Sequence, residues 1–182
     1  MTKKEKHSEI SIQLVNKEEV DILVTLARDT FVAAFGSYNT ESDMNQYLDE
    51  RVTINYMTKE LDTDGSFFYF AKMNGTLIGY LKLNIDQAQN EPLGPKSLEL
   101  ERIYVISTQQ GQGIGQQLLN FAYSMAKEWN KSTIWLGVWD QNPGAIKLYE
   151  RNGFQPFGSH DFQLGDDLQT DILMKMELEN EA

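Results

Sequence analysis

The sequence predicts a mixed α/β domain, and three observations support this. Seven short segments have the apolar patterns of strands, and four longer ones repeat apolar residues at helical spacing. Strand-like and helix-like segments follow one another without a repeat, a low-complexity run or a long linker. The length of 182 residues suits one domain with its own core. We expect residues 1–8 to form a flexible N-terminus and residues 9–180 to form this single domain.

The N-terminal part predicts one strand and two helices. Residues Glu9 to Leu14 alternate between apolar and polar, as in a half-buried strand. Asn16 stands three residues before Glu19, which is the spacing of a capping box at a helix start. An apolar stripe then runs from Val20 to Gly36. A second helix opens at Thr40 and continues through Tyr47.

Three strands are predicted in the middle of the chain. Phe67 to Lys72 and Thr76 to Leu83 are joined at Asn74-Gly75, a strong signal for a two-residue hairpin turn. The third strand runs from Ser97 to Ile106 and leads into a glycine-rich loop.

The C-terminal half predicts a helix, a strand, a helix and two final strands. The first helix has an apolar face, and the second has Asn and Pro at its start and Gly at its end, as helix caps prefer. In order, these elements cover Ile114–Trp129, Ile134–Trp139, Asn142–Gly153, Phe154–Phe162 and Gln169–Leu178.

Composition limits the classes of function. Sixteen basic residues against 27 acidic ones give a net charge of −11, which repels nucleic acid and attracts cations. We therefore expect no nucleic acid partner; a cationic substrate is one interpretation of the charge and solubility is the other. The absence of cysteine excludes disulfides and a thiol nucleophile, and with only two histidines we expect no metal site.

Nothing in the sequence indicates a membrane. No apolar run approaches the roughly 20 residues that cross a bilayer, and the charged residues 1–9 are not followed by the apolar core of a signal peptide. We expect a cytoplasmic protein.

The glycine-rich stretch is the most informative feature. It reads Gln110, Gly111, Gln112, Gly113, Ile114, Gly115, Gln116. Glycine allows the main chain to approach a ligand closely, and the first N–H groups of a helix have no partner inside the helix. The helix dipole adds partial positive charge there, so such a loop suits phosphate. The other interpretation is an ordinary turn at a helix entry.

Two well-known phosphate loops fit this stretch poorly. A P-loop requires Lys and then Ser or Thr after its last glycine, and Gln116-Gln117 exclude it. A dinucleotide fingerprint requires a glycine at position 116 and a turn directly after the strand, where Ser107–Gln109 intervene instead. Only Asp140, placed where a ribose-binding carboxylate is expected, favours the dinucleotide reading.

A third loop type fits, and a second motif follows it at a matching distance. The chain resembles the acetyl-CoA-dependent GNAT N-acetyltransferases in the loop Gln110-x-x-Gly113-x-Gly115. It resembles them also in Asn142-x-x-Ala145-x-x-x-Tyr149-x-x-x-Gly153-Phe154. The resemblance implies the GNAT acyl-CoA N-acyltransferase fold, α/β (α+β). In this fold a central mixed, mostly antiparallel sheet of about seven strands is flanked by four helices.

A closer similarity, from about Phe31 to Leu178, is to the PaiA-type spermidine/spermine acetyltransferases. The segments that carry it are Glu99-Leu100-Glu101-Arg102-Ile103-Tyr104, Trp135-Leu136-Gly137-Val138-Trp139 and Gly165-Asp166-Asp167-x-Gln169-Thr170-Asp171.

The resemblance implies that acetyl-CoA is the cosubstrate and assigns residues to it. The main chain of Ile103, Tyr104 and Val105 would pair with the pantetheine arm as an added strand does. The amides of residues 111–116 would hold the pyrophosphate, and Gln110 would shape the turn. Asn142 would bond the pantetheine as well as cap its helix, and the small Ala145 would leave the cofactor room.

Tyr149 is the first candidate catalytic residue. The resemblance implies that it donates a proton to, or hydrogen-bonds, the departing sulfur, and its spacing puts it on the same helix face as Ala145. Its structural alternative is a half-buried core aromatic. With no cysteine, we expect direct attack of the amine in a ternary complex, because an acyl-enzyme would need an activated Ser or Thr.

Glu99 and Glu101 are the candidate bases. Strand alternation predicts that both share a face with Ile103 and Val105 and point toward the thioester. A carboxylate with a pKa near 4 is a weak base for an amine, so a water relay or a raised pKa is expected. The structural alternative is that Glu101 pairs with a nearby cation.

The resemblance places the amine site between the loop that joins the first helices and the final hairpin. The acidic and aromatic residues there suit a polycation, although ordinary turn chemistry also explains several of them. They are Phe35, Tyr38, Asn39, Asp43, Asp161, Asp166, Asp167 and Asp171.

We predict an N-acetyltransferase that acts on a primary amine of spermidine or spermine. The alternatives are a protein or peptide amine acetyltransferase and a non-catalytic acyl-CoA-binding regulatory module. Apolar residues of the final hairpin, Phe157, Phe162 and Leu164, suggest a homodimer.

Overall fold

A seven-stranded sheet forms the centre of the molecule in the computed structural model, which describes residues 10–178. Its strands are β1 Ile10–Leu14, β2 Ser66–Met73, β3 Thr76–Ile85, β4 Ser97–Val105, β5 Thr133–Trp139, β6 Gln155–Leu164 and β7 Asp167–Glu177. Their order is β1-β2-β3-β4-β5-β7-β6, and only the β4–β5 pair is parallel. The predicted flexible residues 1–8, and residues 9, 179 and 180 of the predicted domain, lie outside the described residues.

Five helices cover the two faces of this sheet. They are α1 Val20–Phe35, α2 Glu41–Arg51, α3 Ile54–Leu61, α4 Ile114–Glu128 and α5 Pro143–Arg151. The predicted fold class and the strand count are confirmed, and α3 is additional to the four predicted helices. None of the helices in residues 10–178 has the length and apolarity to cross a membrane.

Local side-chain caps explain where several helices begin. Asn16 and Glu19 form the predicted capping box, but it opens a short 3₁₀ turn over Lys17–Glu19 that leads into α1. Thr53 accepts a hydrogen bond from the N–H of Tyr56 and so starts α3 directly after Val52, the C-cap of α2.

The sheet separates two apolar clusters. On one face α4 packs against the inner strands, and the buried contributors include Leu81, Leu83, Leu98, Leu118, Leu119 and Ala122. On the other face α1, α2 and α3 cover the same strands, and the contributors include Leu23, Leu48, Met57, Phe68, Phe70 and Tyr80. The predicted dimer residues are only partly available, because Leu164 is buried in this second cluster and Phe162 packs against Tyr47.

The parallel strands β4 and β5 pair over a short distance and then diverge. Their pairing covers Ser97–Glu99 on β4 and Thr133–Trp135 on β5. Beyond this point β4 continues along β3, and β5 continues along β7. The main chain at the end of β4 therefore has one edge that no described strand occupies.

A β-bulge lies at this divergence. Leu83 pairs with Leu100 and the preceding Lys82 pairs with Arg102, so Glu101 is the extra residue on β4. The bulge reverses the side-chain alternation: Leu100 and Ile103, three residues apart, pack in the same cluster on the α4 face. The expectation that Glu99 and Glu101 share a face with Ile103 and Val105 is therefore wrong.

Candidate active site

A cleft of about 580 Å³ opens where β4 and β5 diverge. Its walls come from β4 to β7, from α1 and α2, and from the start of α5. The structure brings seven of the residues predicted for catalysis or cofactor binding into its lining: Glu99, Glu101, Ile103, Tyr104, Asn142, Ala145 and Tyr149. The glycine-rich loop does not line the cleft; it follows the end of β4 and leads into α4.

Tyr149 lies on α5 between the cleft and the core. It is 6% exposed, and its ring meets Phe154 at a centroid distance of 5.7 Å. Its hydroxyl forms no hydrogen bond with another described residue. Burial raises the pKa of Tyr149 well above its ordinary value. The phenol therefore stays protonated at neutral pH and is available as a proton donor to a ligand in the cleft.

Asn142 caps α5 and keeps one half of its amide free. Its Oδ1 accepts from the N–H of Ala145 at 3.1 Å, as the N-cap role requires. Within residues 10–178 its Nδ2 has no acceptor. Because Asn142 and Ala145 both line the cleft, this amide group can donate to a bound ligand.

The glycine-rich loop has the geometry of an anion site. Gly111 and Gly113 have φ of 75° and 77°, in the left-handed region that favours glycine, and Gly113 is the N-cap of α4. The N–H groups of residues 111–113 donate to no acceptor in the described chain. Gln110 Nε2 donates to the Val105 carbonyl at 3.0 Å and so ties the loop to β4. A phosphate group fits donors of this kind at a helix N-terminus.

Glu99 is a buried carboxylate with its oxygens already engaged. It is 3% exposed and accepts hydrogen bonds from Asn84 Nδ2 at 3.0 Å and from the N–H and Nδ2 of Asn90 at 2.9 and 2.7 Å. Burial and the neighbouring charge of Glu101 raise its pKa above the ordinary value, against the effect of these hydrogen bonds.

Glu101 forms ion pairs with neighbouring cations, the alternative to its predicted role as a base. Lys82 Nζ lies 2.5 Å from Glu101 Oε2, and Arg102 Nη2 lies 3.4 Å from Oε1. Burial alone would raise the pKa of Glu101, but Arg102 and Lys82 outweigh it and hold the pKa below the ordinary value. A carboxylate held ionised in this way is a poor proton acceptor.

Glu60 on α3 completes this charge cluster and was missed by the sequence analysis. Its carboxylate accepts from Lys82 Nζ at 2.7 Å and from both terminal nitrogens of Arg102 at 3.0 Å. Lys82 and Arg102 also lie over the ring of Phe68. Two anions and two cations thus neutralise one another beside the bulge. Glu60 lies on α3, the helix that the sequence patterns did not predict, so no signal pointed to it.

The predicted amine-site residues divide into two groups. Phe35, Asp161 and Asp171 line the cleft. Tyr38 lies at its mouth, where its ring stands edge-on to Trp139 at 5.6 Å and is 69% exposed.

The second group joins the hairpin to the helices instead of facing the cleft. Asp43 accepts from the Asp166 N–H at 2.8 Å and from Thr40 Oγ1 at 2.6 Å. Gln169 donates to Asn39 and to Asp167. These contacts dock the β6–β7 turn onto the start of α2, and Asn39, Asp43, Asp166 and Asp167 are not part of the cleft lining.

His160 on β6 was assigned no role and lies in the cleft between two carboxylates. Its Nδ1 is 2.9 Å from Glu91 Oε1, and its Nε2 is 3.5 Å from Asp171 Oδ2. Burial raises the pKa of Asp171 against the opposing effect of His160. Glu91 precedes His160 by 69 residues, so no local pattern indicates the contact.

The cleft is acidic and aromatic. Its lining holds five carboxylates, Glu91, Glu99, Glu101, Asp161 and Asp171, against the guanidinium groups of Arg51 and Arg102. Phe35 meets Trp139 at 5.9 Å and Tyr104 at 6.4 Å, which gives the cleft an aromatic wall. Among residues 10–178 no three His, Cys, Asp or Glu side chains are grouped as a metal site requires.

Comparison with known proteins links this geometry to a family. Residues 23–154 match the acetyltransferase (GNAT) family. An uncharacterised N-acetyltransferase from the pepI 3′ region of Lactobacillus delbrueckii subsp. lactis is 42% identical over 169 residues, covering 93% of this chain and 98% of that protein. An uncharacterised N-acetyltransferase of Mycobacterium bovis is 24% identical over 160 residues, covering 88% and 98%.

Among solved structures, the fold is similar to the PaiA N-acetyltransferase from Thermoplasma acidophilum in complex with coenzyme A. The TM-score is 0.76 at 22% identity, over 93% of this chain and 99% of that one. A probable acetyltransferase from Staphylococcus epidermidis gives a TM-score of 0.74 at 18% identity, over 94% and 100%. At these identities the similarity establishes a common fold.

Proposed function

Because the chain belongs to the GNAT family of acetyl-CoA-dependent N-acetyltransferases, we propose that its acceptor is a primary amine of a small polyamine such as spermidine or spermine. The observation that carries this proposal is the acidity of the cleft lining outside the neutralised charge cluster at the bulge. There the carboxyl groups of Glu91, Glu99, Asp161 and Asp171 share the lining with one guanidinium group, that of Arg51. A flexible polycation would exchange part of its hydration for these anions.

The aromatic wall supports the same substrate class. Ammonium and methylene groups both pack favourably on aromatic faces, and Phe35, Tyr104 and Trp139 provide such faces near the carboxylates. An amine with a second positive charge can thus meet aromatic rings and carboxylates along one cleft.

For acetyl-CoA, the proposed binding residues offer main-chain or amide groups at the loop, at β4 and at the start of α5. The loop of residues 110–116 would take the pyrophosphate at the start of α4, since its first N–H groups lack partners. The open edge of β4 at Ile103, Tyr104 and Val105 would pair with the pantetheine arm. Asn142 Nδ2 would donate to the same arm beside Ala145. When bound, acetyl-CoA supplies an activated acyl thioester.

In the proposed reaction the amine attacks the thioester carbonyl carbon directly. A C–N bond forms, the C–S bond breaks, and the hydroxyl of Tyr149 gives its proton to the departing sulfur. The sequence contains no cysteine, so a thiol-bound acyl-enzyme is excluded. Glu99 and Glu101 remain the candidate carboxylates beside the reacting groups. Of the two, Glu99 has the pKa closer to that of a base, although donors occupy both of its oxygens.

The test is acetyl-CoA turnover against a panel of amines, followed by thiol release. We expect spermidine and spermine to give the highest kcat/KM, with monoamines of similar length far lower because they lack the second charge. Turnover of a lysine peptide while every polyamine stays inert would overturn the substrate class and leave the family assignment intact. Binding of CoA without turnover of any amine would favour the regulatory module.

A further inference from the structure

Glu91, His160 and Asp171 form a row in which the imidazole lies between the two carboxylates. His160 is the central member, with a side chain 28% exposed, and its neighbours are 31% and 17% exposed. All three line the cleft. Their partial exposure allows a ligand to reach the imidazole, unlike a histidine buried in a core.

The two ring nitrogens of His160 have different environments. Nδ1 lies 2.9 Å from Glu91 Oε1, a short contact in which the ring donates and the carboxylate accepts. In the neutral ring this contact places the hydrogen on Nδ1 and leaves the lone pair on Nε2. Nε2 lies 3.5 Å from Asp171 Oδ2, too long for a strong hydrogen bond. Nε2 is therefore the nitrogen that is free to accept a proton.

Gly137 keeps the space beside Nε2 open. A Cβ at this position would lie 3.4 Å from both His160 Nε2 and Asp171 Oδ2. Gly137 belongs to β5 two residues beyond Trp135, the last residue paired with β4. Nε2 thus lies beside β5, the strand that forms one side of the divergence, and His160 and Gly137 both line the cleft.

Other groups in the cleft are less suited to accept a proton. Donors occupy both oxygens of Glu99, and Glu101 already shares its charge with Lys82 and Arg102. Tyr149 is needed in its protonated form. Imidazole is also the side chain whose ordinary chemistry matches proton transfer near neutral pH.

We propose that His160 accepts the proton that the substrate ammonium must lose, with Glu91 as the residue that positions the ring. This rests on the proposed function, because it assigns the base of that reaction. One ammonium proton moves to Nε2 and then to solvent, and the amine lone pair forms the C–N bond. The second proton released from nitrogen balances the one that Tyr149 gives to the sulfur, so amide, thiol and one proton are the products.

His160→Gln tests this through the pH dependence of kcat/KM. The native enzyme would bind the ammonium form of the substrate. Its kcat/KM would therefore rise with pH and then become constant once the base is unprotonated. The variant would depend on free amine from solution, so its kcat/KM should keep rising toward the amine pKa of about 10. We expect a loss of about 10²-fold at pH 7 that shrinks steadily by pH 10. A loss that is the same at every pH indicates a structural role and overturns the proposal.

The charges facing His160 define the controls. They are Glu91 from the segment before β4 and Asp171 from β7, with Asp140 acting through Asp171; Asp161, the next residue on β6, also lines the cleft. Glu91→Gln keeps an acceptor for Nδ1 but removes the charge. We expect a smaller loss of kcat/KM than in His160→Gln, and a pH profile of native shape that is displaced along the pH axis. His7→Gln changes the only other histidine of the sequence and should leave the profile unchanged.

NMR of the imidazole groups gives a second readout that does not need turnover. The sequence has two histidines, so the two single variants assign both signals. Spermidine should move the His160 signal and leave the His7 signal in place. No response of His160 to an amine that is turned over would overturn the proposal. If the native protein turns over no amine, the polyamine function is wrong. If the native protein is active and His160→Gln loses the same activity at every pH, only the role of His160 is wrong.

Discussion

Gln116 and Asn152 exchange two hydrogen bonds between their side-chain amides. Gln116 Nε2 donates to Asn152 Oδ1 at 2.8 Å, and Asn152 Nδ2 donates to Gln116 Oε1 at 3.0 Å. The pair joins the first turn of α4 to the C-cap residue of α5. Because the two helices carry the loop motif and the Asn142–Tyr149 motif, this contact fixes the anion site relative to Tyr149.

Asn152→Ala should weaken both stability and CoA binding. It removes the reciprocal pair and a bond from Asn152 Nδ2 to the Leu148 carbonyl at 2.8 Å. We expect the free energy of unfolding to fall by about 2 kcal/mol, since partly buried amide groups lose their partners. Urea denaturation and calorimetric CoA titration measure the two effects. Asn120→Ala is the matched control, because it removes only an exposed contact of Gln116; an equal effect there would refute the special role of Asn152.

Tyr149→Phe should lower kcat and leave the affinity for CoA nearly unchanged. The hydroxyl has no partner in the described chain, so its removal costs little stability while it deprives the departing sulfur of its donor. We expect a decrease of about 10²-fold, the usual contribution of one positioned acid. Steady-state kinetics and CoA titration separate the two quantities.

Tyr123→Phe is the control for this variant. Its hydroxyl is also buried without a partner among residues 10–178, but Tyr123 is not part of the cleft lining. We expect native kinetics and native or slightly higher stability. If both variants lose activity to the same extent, Tyr149 acts through packing and not as a proton donor.

Gly113→Ala and Gly115→Ala should affect stability and CoA binding differently. Gly113 has φ of 77°, so alanine there is strained by about 1 kcal/mol although no described atom lies within 4 Å of the added Cβ. At Gly115 the nearest atom is Leu148 Cδ2 at 3.9 Å, and alanine should be neutral or stabilising within the helix. Thermal unfolding should show this order.

The affinity for CoA then tests the close approach of the cofactor to the loop. We expect Gly115→Ala to weaken CoA binding without loss of stability, because the methyl group lies on the first turn of α4 where the pyrophosphate would approach. Native CoA affinity in a fully stable Gly115→Ala protein would contradict that placement.

The features that the sequence predicted are those with local signals. Apolar patterns, with turn residues at some strand ends, located all seven strands, and the spacing from Gln110 to Gly115 and from Asn142 to Tyr149 indicated the family. α3 was missed because it has eight residues and follows α2 after only Val52 and Thr53, where one helical pattern runs into the next.

The features that were missed depend on tertiary contacts. A bulge at Glu101 puts Ile103 and Val105 on the face opposite Glu99 without any change in composition, since strand alternation assumes an uninterrupted ladder. Glu60 is 42 residues from Arg102, and Glu91 is 69 residues from His160. Glu60 reaches Arg102 only because α3 packs on the sheet, and Glu91 reaches His160 only because the segment before β4 lies beside β6 in the folded chain.

Glu101→Gln should lower stability at neutral pH and flatten its dependence on pH in acid. The pKa of Glu101 is lowered in the folded protein, so the unfolded chain binds its proton first as the pH falls. The stabilisation from Glu101 is therefore fully present above its unfolded pKa of about 4.3 and is lost as the pH falls through the lower folded pKa. Gln removes this contribution and leaves Lys82 and Arg102 with Glu60 alone, a loss of about 3 kcal/mol at pH 7.

Glu99→Gln is the matched variant, and it should change the pH dependence of stability in the opposite direction. Burial raises the pKa of Glu99, so the folded protein keeps this proton longer than the unfolded chain as the pH rises. The stabilisation from Glu99 is present below its unfolded pKa and is lost as the pH rises through its folded pKa. In Glu99→Gln the free energy of unfolding should no longer decline over this pH range. Urea denaturation of both variants between pH 3 and about 7 checks the pair. Parallel pH profiles for the two would mean that Lys82 and Arg102 do not hold Glu101 ionised.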